Sequence, residues 1–318
     1  MKKLLLAFII YQSSFIIGAA QNLDSLFNVW EDVGQHDTIR ADCLITYVNR
    51  LFQKLGPDTG FFYLEKCHPM VVESGNKRLL GIYLNMEGSL YTAKAEYVKA
   101  LNKFDEALFL FEKLHDNKHV AWVLVNRSMV YLIQNDFHNA LVYLKQSELP
   151  AKISGDRQAI YNGKNNLATV YYYIGDKETS LRMMLEVLNF LDTADSKEKT
   201  IVPVVCNNIG IIYHEINDYE KAKFYLRRAL NLAKRMSIEG EMANAYIELG
   251  KVAFKEKDSQ AAKKYLLQGL ELSKKRGDKY LTADASTFYG EILGFEKDYK
   301  GAISFCETGY ALALEISM

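Results

Sequence analysis

His115 and His119 are the one pair of histidines in the chain spaced four apart, the interval that sets two imidazoles on one helix face and lets them grip a zinc ion. The residues between them, Asp116-Asn117-Lys118, read as a turn, and no third ligand follows at a suitable spacing. A metal is therefore not expected. His36, His68, His138 and His214 are isolated and read as surface residues. There is no Gly-x-x-x-x-Gly-Lys phosphate loop, no Gly-x-Ser-x-Gly elbow and no His-Glu-x-x-His pair. The carboxylates are spread as solvated faces and as helix caps. Neither enzyme activity nor a cofactor is expected.

What does recur is asparagine. Asn126, Asn166 and Asn208 each stand two residues before a small residue (Ser128, Ala168, Gly210), and Asn165 and Asn207 precede two of them. A side-chain amide offers a donor and an acceptor, which matches the backbone of an extended peptide. At helical spacing on the same face lie Trp122, Met129, Asn162, Thr169, Ile211, Glu215, Lys251 and Lys255. An aromatic, a methionine and amides in one row suit a peptide-binding surface. The competing reading has the amides satisfying backbone groups between helices.

The elements that must carry this row are announced by a repeat. Asn135-Asp136-Phe137, Gly175-Asp176-Lys177, Asn217-Asp218-Tyr219, Lys257-Asp258-Ser259 and Lys297-Asp298-Tyr299 share one punctuation, with aspartates 40, 42, 40 and 40 residues apart. Aspartate before an apolar-periodic run caps the free N–H groups of a first helical turn. Four residues on stands a small side chain: Ala140, Ser180, Ala222, Ala262 and Ala302. Ala107, after Lys103-Phe104, extends the series by a shorter step of 33, and Gly60 is its weakest member. Ser128, Ala168, Gly210, Gly250 and Gly290 each lie twelve residues before a small position, so small faces small across a helical hairpin. Asn76, Asp156, Ser196 and Asp278, sixteen residues after it, cap the next helix, and Gly75, Gly155 and Gly277 supply the left-handed turn. Each unit is thus two helices of roughly seventeen residues, and an all-α fold is expected. Tyr171, Tyr213, Tyr219, Tyr225, Tyr265 and Tyr299 are assigned to the packing between helices.

Small-x-x-Tyr, then Gly/Asn-Asp-Tyr/Phe, then Ala, resembles the tetratricopeptide repeat. The clearest copy runs from Asn208-Ile209-Gly210 and Tyr213 through Asn217-Asp218-Tyr219 and Ala222 to Ala229. The resemblance spans residues 44–318 as about seven repeats, after a lead-in segment at 21–43. It implies a right-handed superhelical solenoid of helix-turn-helix units whose first helices face a concave groove, which the asparagine row would line. The period of 40 rather than 34, and the missing proline at the end of the second helix, resemble the longer-helix subclass of bacterial sensors and peptide receptors. The paired lysines of that family's chaperone-tail clamp are absent, which disfavours that ligand.

Lys+Arg and Asp+Glu are both 39, a balance that offers no basic stripe for nucleic acid. Cys43, Cys67, Cys206 and Cys306 form no metal spacing; Cys206 and Cys306 fall on apolar faces, and Cys43 and Cys67, on successive helices, could meet. Lys2-Lys3, the apolar run Leu4–Ile17 and Gly18-Ala19-Ala20 read as a signal peptide at 1–20, too short to span a bilayer. The expected protein is a non-catalytic scaffold, exported to the periplasm or beyond, that binds a peptide or protein segment. The alternative is the sensory input domain, or a truncated copy, of a tetratricopeptide histidine kinase or transcriptional regulator. In those, a transmembrane helix and an output module follow, whereas this chain stops at Glu315-Ile316-Ser317-Met318.

Overall fold

The computed structural model describes residues 23–192 and 201–317. The leader at 1–20 and Ser196 lie outside them. The described residues form fifteen α-helices and no strand. The chain divides at Ile174–Gly175 into two compact units. The first contains α1 (Leu23–Glu31), α2 (Asp37–Leu55), α3 (Pro57–Glu73), α4 (Lys77–Ala93), α5 (Tyr97–Lys113), α6 (Asn117–Ile133), α7 (Phe137–Ser154) and α8 (Arg157–Tyr173). The second contains α9 (Lys177–Asp192), α10 (Val202–Glu215), α11 (Tyr219–Arg235), α12 (Glu239–Lys255), α13 (Ser259–Lys275), α14 (Lys279–Phe295) and α15 (Tyr299–Ser317). Residue 44 falls inside α2, which pairs with α3 as a hairpin, so the array begins earlier than the sequence suggests.

Helix starts follow the aspartates. Asp136, Asp176, Asp218, Asp258 and Asp298 each accept, through Oδ1, the backbone N–H three residues on, at 2.9–3.2 Å. Asn76, Asp156 and Asp278 do the same for the helices that follow them. The residue before each cap turns left-handed. Glycine does so at Gly75, Gly155 and Gly277, and ordinary side chains do so at Asn135, Asn217, Lys257 and Lys297. That conformation ends the previous helix at the point where the next is capped.

The assignment of Ala107 is corrected by the structure. Helix α5 starts at Tyr97 after Ala95, which takes φ 58°, and Glu96, whose side chain makes no cap bond. The small residue four positions on is Ala100, forty residues before Ala140 and forty after Gly60. The repeat keeps its period, and the step of 33 was a misreading caused by a turn written without aspartate. Asp116, sixteen residues beyond Ala100, then takes its place as the cap of α6, accepting from His119 N–H at 3.3 Å.

Small against small is what closes the hairpins of the second unit from α10 onward. A methyl group at Gly250 would stand 2.7 Å from Leu266 Cγ and 3.1 Å from the Ala262 carbonyl oxygen. Gly210 meets Leu226 and the Ala222 carbonyl in the same way, and Gly290 meets Cys306 and the Ala302 carbonyl. In the first unit Gly88 accepts the Phe104 ring and Gly81 the Phe111 ring. The first helices of successive hairpins also pack on one another: α4 on α6, α6 on α8, α10 on α12, α12 on α14. They become enclosed on nearly every side, and every residue of α10 from Val202 to Tyr213 is buried. Tyr213 is buried as expected, and Tyr219, Tyr225 and Tyr265 are half-buried, but Tyr299 is 65 % exposed.

Gly250→Ala should therefore lower stability despite alanine's better helix propensity, because overpacking a close crossing costs about 1–3 kcal/mol. Gly163, whose added methyl would meet Ser147 Oγ at 3.5 Å and nothing closer, is the control. Gly163→Ala should gain up to about 1 kcal/mol. Urea unfolding of both variants checks the opposite signs.

Candidate functional site

The residues expected to line a groove all lie on first helices. In the first unit α6 carries Trp122, Asn126 and Met129, and α8 carries Asn162, Asn166 and Thr169. In the second, α10 carries Asn208, Ile211 and Glu215, and α12 carries Lys251. Because first helices are enclosed, most of these side chains are buried: Asn166 is 0 % exposed, Thr169 1 %, Asn162 2 % and Asn208 4 %. Asn126, Met129, Ile211 and Lys251 are buried too, Trp122 is half-buried and Glu215 is exposed.

Several amides bridge neighbouring helices, as the competing reading of the row requires. Asn126 Nδ2 donates to Asn85 Oδ1 of α4 at 3.0 Å. Asn207 Nδ2 donates to the Glu241 backbone oxygen at 3.2 Å and to Glu241 Oε2 at 2.8 Å, tying α10 to α12. Other polar atoms are enclosed with no hydrogen-bond partner: Asn162 Oδ1, Asn207 Oδ1, Asn208 Nδ2 and Glu241 Oε1. Burial pushes the Glu241 carboxyl up to about 7, against the Asn207 hydrogen bond and the Arg276 charge, which pull it down.

The second unit also holds a chain of charges that the sequence pattern did not bring together. Lys251 Nζ donates to Glu248 Oε1 of its own helix and to Asp284 Oδ2 of α14, each at 2.7 Å, and lies 4.7 Å from the centre of the Phe288 ring. His214 of α10 places Nδ1 3.8 Å from Glu248 Oε2. His214 is mostly enclosed, not the surface residue the sequence suggests. Burial works against the Lys251 charge, but Asp284 and Glu248 outweigh it and hold the ammonium above its ordinary value. Burial would raise Glu248 as well, yet Lys251 and His214 keep it below. At Asp284 burial wins, and its carboxyl is raised. Of this group only Lys251 was singled out from sequence. His214 and Glu248 stand 34 residues apart, and Lys251 and Asp284 stand 33 apart, on neighbouring first helices; these spacings fall short of the 40-residue period, so the repeat pattern did not bring them together.

His119 is not in a turn. It sits in the first turn of α6, stacked on Phe111 with ring centroids 4.7 Å apart, its Nδ1 2.8 Å from Asp116 Oδ2. His115 alone occupies the turn, at φ 53°. Among the described residues no group of three or more His, Cys, Asp or Glu side chains is placed to hold a metal. Cys43 and Cys67 are free thiols, Cys67 fully buried.

Lys251→Met strands Glu248 and Asp284 without their shared cation, and removing one partner of a buried ion pair costs about 3–5 kcal/mol. Asp284, already raised, takes up a proton first as the pH falls, which relieves the repulsion. The deficit against the unsubstituted chain should therefore be larger at pH 8 than at pH 5 in urea unfolding. Equal deficits would show that the two carboxylates do not feel each other.

Residues 204–235 and 243–276 match the family described as Tetratricopeptide repeat. They coincide with α10–α11 and α12–α13. No curated protein matches the chain by sequence. Among solved structures, the apo form of RapI superposes with a TM-score of 0.67 at 10 % identity, covering 87 % of this chain and 98 % of that one. The Rap conjugation gene regulator of plasmid pLS20, in complex with the Phr* peptide, gives 0.69 at 14 % identity over 89 % of this chain and 76 % of that one. The apo quorum sensor NprR from B. thuringiensis gives 0.60 at 14 % identity over 92 % and 97 %. At such identities the likeness is one of fold. Residues 204–276 carry the tetratricopeptide repeat signature, and with paired helices on either side of it the chain has the fold of a tetratricopeptide-like helical-repeat protein.

Proposed function

We propose that the chain is a non-catalytic scaffold that binds an extended peptide or protein segment along its first helices. The observation that carries this reading is Asn208, whose Nδ2 is enclosed at α10 with no acceptor. An unpaired buried donor costs about 1–3 kcal/mol, and a ligand carbonyl would offset that cost. Within the first unit, Asn162 Oδ1 on α8 is likewise enclosed without a hydrogen-bond partner. Support comes from the solved structures of this fold that hold peptides: NprR with its cognate peptide NprX, and the pLS20 regulator with Phr*. The likeness to a quorum sensor favours, as a second reading, a sensory input role for the same surface.

Peptides selected from a random library on the purified chain, then titrated calorimetrically, test the site. Asn208→Ala should weaken a selected peptide roughly tenfold, the equivalent of about 1.4 kcal/mol, and leave the melting temperature nearly unchanged. A variant that melts early yet binds at full affinity would assign Asn208 to the fold.

We also propose that the protein is exported and belongs to the long-period bacterial subclass that carries a leader, from the pattern of Lys2-Lys3, Leu4–Ile17 and Gly18-Ala19-Ala20. A reporter enzyme that works only outside the cytoplasm, fused behind the retained leader, should be active. Activity confined to a cytoplasmic reporter overturns the proposal.

A further inference from the structure

Helix α15 presents an apolar stripe that the preceding hairpins do not have. Tyr299, Ile303, Tyr310 and Leu314 are 65, 58, 66 and 44 % exposed. At 100° per residue they fall within about 60° of arc, a single line along the helix. The repeat shows how the stripe arose. Forty residues earlier, position 303 is Lys263 and position 314 is Lys274; the α11 counterparts are Lys223 and Lys234. Lys223 and Lys263 each reach across to the next hairpin, to Glu256 and Glu296 at 2.7 Å. Position 310 is Leu230 or Leu270 in those hairpins, buried at 7 and 5 % exposure. In α15 both lysine positions have become aliphatic. This face is not built to receive another hairpin through a lysine–glutamate tie, and what covers it must be apolar along its whole length.

The spacing of the stripe says which apolar surface. Steps of four, seven and four residues read the same in both directions. Two copies of α15 laid antiparallel therefore meet side chain to side chain, Ile303 of one copy on Tyr310 of the other and Tyr299 on Leu314, all four contacts satisfied by one twofold axis. We propose that α15 is a homodimer interface, in which two copies of this chain pack antiparallel through Tyr299, Ile303, Tyr310 and Leu314. The four residues together expose about 500 Å² on each copy, so the pair buries at most about 1,000 Å², the size of a weak, reversible interface. Only Lys300, Glu307 and Glu315 are charged in α15, and Glu315 is held by Lys279. Glu307 flanks the stripe near the twofold axis and meets its own copy there, so the association is of modest strength and tightens with salt.

Sedimentation velocity on the purified full chain, from micromolar to millimolar concentration, should show a monomer–dimer equilibrium and nothing larger. Glu307→Gln should tighten it several-fold. Ile303→Glu and Tyr310→Lys should each give a monomer with an unchanged helical circular dichroism spectrum, both positions being exposed. Mixing those two variants should restore a dimer holding one chain of each, because the new carboxylate and the new ammonium face one another across the axis. A wild-type chain that stays monomeric throughout overturns the proposal. So do open-ended assembly, and two monomeric variants that fail to pair on mixing.

Discussion

Two helices can cross at close approach only where the facing side chains are small, and the hairpins of this protein rest on that constraint. At Gly210, Gly250 and Gly290 the facing helix brings a carbonyl oxygen to within 3.0–3.4 Å of the place a methyl would occupy. The turn joining the two helices spans only a few residues, from the last helical residue through a left-handed one to the aspartate cap. With the turn so short, the crossing point and the start of the second helix are set together, and a change at either is felt at both. The first unit meets the same constraint differently, seating the rings of Phe104 and Phe111 on Gly88 and Gly81. The position is kept small, and what fills the space is free to vary.

Close crossing has a consequence for the first helices. Within each unit a first helix is covered by its own partner and by a neighbouring first helix, as α6 is by α7, α4 and α8 and α12 is by α13, α10 and α14, so polar side chains on it leave water. Asn126 and Asn207 answer this by bonding across to α4 and α12. Lys251, Glu248 and Asp284 answer it by pairing with one another. A buried ion pair is weak evidence for stability, since apolar side chains of similar volume often serve as well. Its effect here is to tie α12 to α14 at one register. Asn162 Oδ1, Asn208 Nδ2 and Glu241 Oε1 are enclosed on these helices without a hydrogen-bond partner.

Between hairpins the second helices add solvent-accessible ion pairs, such as Lys223 to Glu256 and Lys263 to Glu296. Solvent-exposed pairs contribute about 0–1 kcal/mol each, so cohesion of the stack comes from the apolar contacts beneath them. The lysines act as covers for those contacts. Where they are exchanged for Ile303 and Leu314, the same contacts are laid open.

The helical class, the caps and the hairpin turns were legible along the chain because each depends on residues within a few positions of one another: Asp218 on the N–H of Lys221, Gly155 on its own φ. The same locality explains the one misread turn. Ala95-Glu96 does the work of Asn-Asp with neither residue, and only the helix that follows reveals it. The asparagine row was legible as a pattern, but whether those amides face a groove or the next helix was not. Exposure of Asn166 or Asn208 depends on which helices pack over it, and those come from segments distant in the chain. The meeting of His214, Glu248, Lys251 and Asp284 belongs to the same category. Local hydrogen bonds are written in neighbouring residues, whereas burial and charge pairing are decided where separate helices converge, and that required the tertiary structure.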